Sequence, residues 1–69
     1  MVEVYKTNVE YRETAEKLEA ELKEIFPGSI VNFDLDDCDK ILRVESDKDI
    51  FSEAAEILVK KGFYCEVLE

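Results

Sequence analysis

Val31-Asn32-Phe33-Asp34-Leu35-Asp36, then Asp37-Cys38-Asp39-Lys40, then Ile41-Leu42-Arg43-Val44-Glu45: this stretch decides the fold. Val31, Phe33 and Leu35 alternate with Asn32, Asp34 and Asp36. Leu42 and Val44 alternate in the same way with Ile41, Arg43 and Glu45. A period of two is the signature of a strand with one buried face and one wet face. Between the two runs, Asp36-Asp37-Cys38-Asp39 reads as a tight turn, because Asp side chains bond their own backbone and tolerate turn geometry. The stretch therefore predicts an antiparallel hairpin.

Working outward toward the start, Pro27-Gly28 halts whatever precedes the hairpin, Gly28 accepting left-handed backbone without penalty. Tyr11, Ala15, Leu18, Leu22 and Ile25 recur every three or four residues, one apolar stripe of a helix ending near Phe26. Thr7 or Asn8 can cap that helix, and Glu10 completes a possible capping box with Thr7. Before it, Val2-Glu3-Val4-Tyr5-Lys6-Thr7 alternates as a strand, with Val2 and Val4 expected inside. Working toward the end, a second helix is expected to start between Asp47 and Ser52 and to stop at Gly62. Phe51, Ala54, Ala55 and Leu58 form its stripe, and Lys60 and Lys61 suit the negative end of its dipole. The final strand, Phe63 to Leu68, puts Phe63, Cys65 and Val67 on one face and Tyr64, Glu66 and Leu68 on the other.

This order, βαββαβ, is the ferredoxin-like or split βαβ plan of the α+β class. Right-handed crossovers put both helices on one face of an antiparallel four-stranded sheet of order 4-1-3-2, a two-layer sandwich. The 69 residues make one domain, 1–69.

Composition narrows the function. Eighteen acidic against nine basic residues give a net charge of −9. That charge repels phosphate backbones and anionic lipid, so neither nucleic acid nor membrane is expected as a partner. No apolar run approaches the ~20 residues of a membrane-spanning helix, and acidic Glu3 sits where a signal peptide needs basic charge. A cytoplasmic protein with reduced thiols is expected. Histidine is absent, which removes the commonest general base near neutral pH and the commonest metal ligand. There is no cysteine or serine paired with a base, so no catalytic residue and no cofactor site is expected, and the chain reads as a non-enzyme.

In length and layout the chain resembles the heavy-metal-associated domains of copper chaperones and metal-pumping ATPases. The residues that carry the likeness are a first strand ending in Lys6-Thr7, the long amphipathic helix and the Val31–Leu35 strand. The acidic turn, Leu42-Arg43-Val44 and the closing run Lys61-Gly62-Phe63-Tyr64-Cys65-Glu66-Val67-Leu68 continue it. The resemblance implies a soft-metal site in a Met-x-Cys-x-x-Cys loop after the first strand, where two thiolates hold an ion such as Cu(I). Alignment on Lys6-Thr7 puts Asn8 and Tyr11 at those two cysteines, and neither supplies a thiolate. No cysteine precedes Cys38. The scaffold is kept and the ligands are lost, which implies a changed role.

Four candidate sites remain. The chain direction brings Cys38 to the same sheet edge as the Thr7–Val9 loop and Gly62, so it is either a soft-metal or redox thiol or a tolerated turn residue. Its acidic neighbours oppose thiolate formation. Cys65 alternates with Phe63 and Val67 and is expected in the core as a small hydrophobe. A calcium loop beginning at Asp34 fails, because Cys38 and Asp39 stand where an oxygen ligand and a glycine are required. Last is the sheet face that the helices leave bare, expected to carry Tyr5, Ile41, Arg43, Tyr64, Glu66 and Leu68 beside Glu3, Asn32 and Asp34. Aromatic, arginine and aliphatic groups together mark interaction surfaces, though a solvated sheet face has similar residues. Two functions are therefore expected in competition. One is an interaction module that docks on a protein partner, or on itself as a homodimer, through the open face or the Asn8 loop. The other is a carrier of copper or zinc through Cys38, with a further ligand from a partner or second copy.

Overall fold

A strand, Val2–Thr7 (β1), opens the chain and is followed by a helix, Arg12–Ile25 (α1). The strands Ile30–Asp34 (β2) and Ile41–Glu45 (β3) come next, then a helix, Phe51–Lys60 (α2), and a short strand, Cys65–Val67 (β4). The computed structural model describes residues 1–68. Its sheet has the order β2-β3-β1-β4 with every neighbouring pair antiparallel. This is the 4-1-3-2 sheet expected from the sequence, and the element order is βαββαβ.

Both helices lie on one side of the sheet, because a single core joins them to it. Ala15, Leu18 and Leu22 of α1 and Ala54 and Leu58 of α2 pack with Val31, Phe33, Leu42 and Val44. Each large side chain so buried contributes about 1.5–3 kcal/mol. The helices end as the sequence indicates, with Gly28 and Gly62 at φ of +89° and +94°, values that side chains with a Cβ rarely adopt.

Strand β1 runs in the opposite phase to the expected one. Tyr5 is fully buried at the centre of the core, whereas Val2 is exposed and Val4 half-buried. Register is the reason: Tyr5 stands opposite inward-facing Leu42 on β3 and opposite Val67 on β4. Residues directly opposite share a sheet face. The ring spans the core and its hydroxyl donates a 2.7 Å hydrogen bond to the Phe51 carbonyl in the first turn of α2. A buried phenol needs such a partner, and Phe51 supplies it.

The entry to α1 also differs. The helix starts at Arg12 with Tyr11 at the N-cap and no side-chain cap, so Thr7, Asn8 and Glu10 form no capping box. Buried Thr7 serves the sheet instead: its hydroxyl donates to the Lys40 carbonyl and accepts the Val9 backbone N–H at 3.2 Å. Val9, in the loop, is fully buried and closes the core where Tyr11 was expected. Tyr11 and Ile25, the two ends of the expected stripe, are exposed, and Phe26 packs against the core.

The β2–β3 connection is wider than a tight turn. Strand β2 stops at Asp34, and Leu35 leaves it to pack against the core. Asp34 and Asp37 each accept a backbone N–H two residues on, from Asp36 at 3.2 Å and Asp39 at 2.8 Å. Lys40 then turns the chain with φ of +49°, the one non-glycine residue in the left-handed region among the described residues. No helix among them is long and apolar enough to cross a membrane.

Candidate interaction face

The strand registers order the bare face into three rows. Ile30, Glu45 and Val2 form one row across β2, β3 and β1. Asn32, Arg43 and Val4 form the next, extended by Leu68, whose N–H donates to the Val4 carbonyl at 2.8 Å. Asp34, Ile41, Lys6 and Glu66 form the third. Of the six residues expected on this face, Ile41, Arg43, Tyr64, Glu66 and Leu68 occupy it, and Tyr5 does not. Glu3 likewise leaves it by the phase of β1. Val4 takes the position between Arg43 and β4 that Tyr5 was expected to hold.

The inverted phase makes the face more apolar than expected. Ile30 is 52% exposed, Tyr64 45%, Val2 44% and Leu68 41%, with Val4 and Ile41 half-buried between them. Charged groups interleave with these: Glu45 stands between Ile30 and Val2, Arg43 beside Val4, and Lys6 between Ile41 and Glu66, a mixed apolar and charged face. The Tyr64 hydroxyl donates to the Glu66 carboxylate, which fixes the ring beside β4. Lys6, Glu66, Val67 and Leu68 line an open groove of about 440 Å³ along the β1–β4 side. It offers one ammonium and one carboxylate and no nucleophile.

The loop between β1 and α1 is held by a side-chain clamp. Asn8 lies at the sheet edge and its Oδ1 accepts the Tyr64 backbone N–H at 2.8 Å, joining this loop to the start of β4. Tyr11 is 71% exposed and makes no cap contact. The two positions are thus brought to the expected loop, one as a structural clamp and one as a surface ring. Sequence spacing does not reveal the Asn8 bond, since its partner is 56 residues away.

Cys38 is exposed, as expected, and the β2–β3 loop lies beside the Thr7 loop. The Thr7 N–H donates to the Asp39 carbonyl at 3.1 Å, and the Lys6 ammonium lies 3.6 Å from the Asp39 carboxylate. One ligand atom from each of Asp37, Cys38 and Asp39 falls within 4.8 Å of the others. One soft thiol with two hard carboxylates is a mismatched set for a soft ion, and the Asp37 carboxylate is already engaged by the Asp39 N–H. Cys65 is partly buried against the core, and burial pushes its thiol pKa up to about 11. Both cysteines are free.

Compared with protein-family models, with curated proteins and with solved structures, the chain matches none significantly.

Proposed function

We propose that this chain is a non-enzymatic interaction module that docks on a basic partner protein through the open face of its sheet. The scaffold is that of a heavy-metal-associated domain relieved of its metal pair, with Asn8 and Tyr11 at the two positions. The supporting observation is the exposed sheet face on which Val2, Val4, Ile30, Ile41, Tyr64 and Leu68 are interleaved with Arg43, Lys6 and two glutamates. Charge selects the kind of partner: a second copy brings −9 against −9, whereas a basic surface is drawn in. On this reading the domain works in the cytoplasm, with Cys38 and Cys65 reduced.

Photo-crosslinking from Leu68 and from Ile30 tests the reading, with Glu66→Lys and Tyr64→Ala as variants that leave the core untouched. A basic protein crosslinked at both positions and lost with both variants supports it. Crosslinks only to a second copy, or a partner indifferent to both variants, overturn it.

A second reading is a soft-metal carrier, favoured by the closeness of the Asp37, Cys38 and Asp39 ligand atoms. Native mass spectrometry of the reduced protein with Cu(I) and with Zn(II) decides between the two. Stoichiometric metal that Cys38→Ser abolishes supports the carrier, and a protein that stays metal-free removes it.

A further inference from the structure

The two edges of the sheet are unequally protected. A strand edge is a row of unpaired backbone groups that recruits further strands unless something blocks it. In β2, the Phe33 N–H points away from β3 and is taken by the Glu19 carboxylate of α1 at 2.9 Å. That bond occupies the middle of the β2 edge with a charged group.

Strand β4 has no such cover. The Leu68 N–H donates to the Val4 carbonyl, so residues of that parity, Glu66 and Leu68, bond inward to β1. By the alternation of antiparallel pairing, the backbone groups of Cys65 and Val67 point outward. Among the described residues no hydrogen bond of the kind Glu19 makes reaches either of them. The open groove lined by Lys6 of β1 and by Glu66, Val67 and Leu68 lies beside this edge.

We infer that the outer edge of β4 accepts an extended basic segment of the partner as a fifth strand, its lysines or arginines on the open face beside Glu66. This rests on the interaction reading above and specifies how the partner is held. Main-chain bonds from Cys65 and Val67 supply affinity, and alternate side chains supply selection. An apolar residue on the other face of the added strand meets Val67, which is 42% exposed. Glu66 stands opposite Lys6, whose ammonium pairs with Asp39, and its carboxylate, which accepts the Tyr64 hydroxyl, carries the negative charge that meets the incoming lysine or arginine.

The test is an NMR titration with a short synthetic peptide alternating lysine and valine, beside the same peptide N-methylated at alternate backbone nitrogens. A third peptide carries glutamate for lysine. The expected result is slowed exchange and shifted amides at Cys65 and Val67, with those of Val31 and Phe33 unmoved. Methylation removes the main-chain bonds and weakens binding about tenfold or more. Val67→Pro does the same, since it deletes an outward N–H and no bond to β1, a substitution that sheet edges tolerate. Equal binding of the glutamate peptide, or shifts confined to Arg43 and Ile41, overturns the edge site. So does an absence of binding by the lysine peptide, or self-association through the Cys65 and Val67 amides. Crosslinks from Leu68 and Ile30 to a basic protein that persist when the edge fails leave the broader reading standing; loss of both removes both.

Discussion

Tyr5→Ala separates the two phases of β1 by a wide margin. On a solvated face the change is worth about 0.5 kcal/mol or less, as surface substitutions are. In the observed position the ring is fully buried and central, and truncating a core aromatic to Ala costs about 3–5 kcal/mol. Native domains hold about 0.05–0.15 kcal/mol per residue, about 3.5–10 kcal/mol for 69 residues, so that loss is at least about a third of the whole stability. Tyr5→Phe isolates the hydroxyl. The 2.7 Å bond to the Phe51 carbonyl contributes about 0.5–1.5 kcal/mol, and the ring packing survives. At a urea dependence of about 1 kcal/mol per molar, its unfolding midpoint falls by about 1 M. Burial, with the nearby Cys65, Glu3 and Asp49 charges, also raises the Tyr5 pKa well above its ordinary value of about 10. The folded chain then keeps the phenol proton at a pH where the unfolded chain loses it. Stability from this group is complete below about pH 10 and is lost as pH rises beyond it. Equilibrium urea unfolding followed by circular dichroism, at neutral pH and in alkali, measures all three effects. A Tyr5→Ala protein within 1 kcal/mol of the parent, or a Tyr5→Phe protein with unchanged alkaline sensitivity, refutes the burial of Tyr5.

Three further predictions concern the loop side of the sheet and the thiols. Thr7→Val keeps the shape but strands the buried Val9 N–H and frees the Lys40 carbonyl, so a loss of about 1–3 kcal/mol in thermal or urea unfolding is expected. Lys40→Gly relieves a left-handed non-glycine residue and raises stability by up to about 1 kcal/mol, read as a higher melting temperature; a fall would mean that the 3.1 Å bond from its ammonium to the Leu35 carbonyl outweighs the strain. Iodoacetamide at neutral pH, followed by mass spectrometry, is expected to label exposed Cys38 well before Cys65, whose thiol is held protonated up to about pH 11. Because that folded pKa is raised, the Cys65 contribution to stability is whole below its unfolded value and fades as pH climbs toward 11.

The elements were legible because their signals are local. Val31, Phe33, Leu42 and Val44 show their buried side by alternation, and Ala15, Leu18 and Leu22 by helical spacing; all are buried. Gly28 and Gly62 mark the helix ends through a backbone angle other residues avoid. The element order, under the rule of right-handed crossovers, then leaves one sheet order. Less of the open face could be read. Arg43, Tyr64, Glu66 and Leu68 follow from the phase of their own strands, and Ile41 from that of β3. The clamp between Asn8 and Tyr64, the Glu19 cover on Phe33 and the burial of Val9 join residues remote in sequence or lying in irregular chain, where no periodicity operates.

Strand β1 shows where the division falls. Val2-Glu3-Val4-Tyr5-Lys6-Thr7 alternates equally well in two phases. Hydrophobicity alone favours Val2 and Val4 inside over Glu3, Tyr5 and Thr7. A period of two fixes that a strand forms and leaves its facing to register, since a slip of one residue turns every side chain over. Register belongs to the neighbours: Leu42 opposite Tyr5, Lys40 opposite the Thr7 hydroxyl, and a helix turn whose carbonyl meets the phenol. The sequence by itself thus determined the strands, helices and their order, which are properties of short stretches. Only the tertiary structure decided which face of β1 is core, because only there do a tall ring and a buried hydroxyl find the volume and the partners that two valines would leave empty.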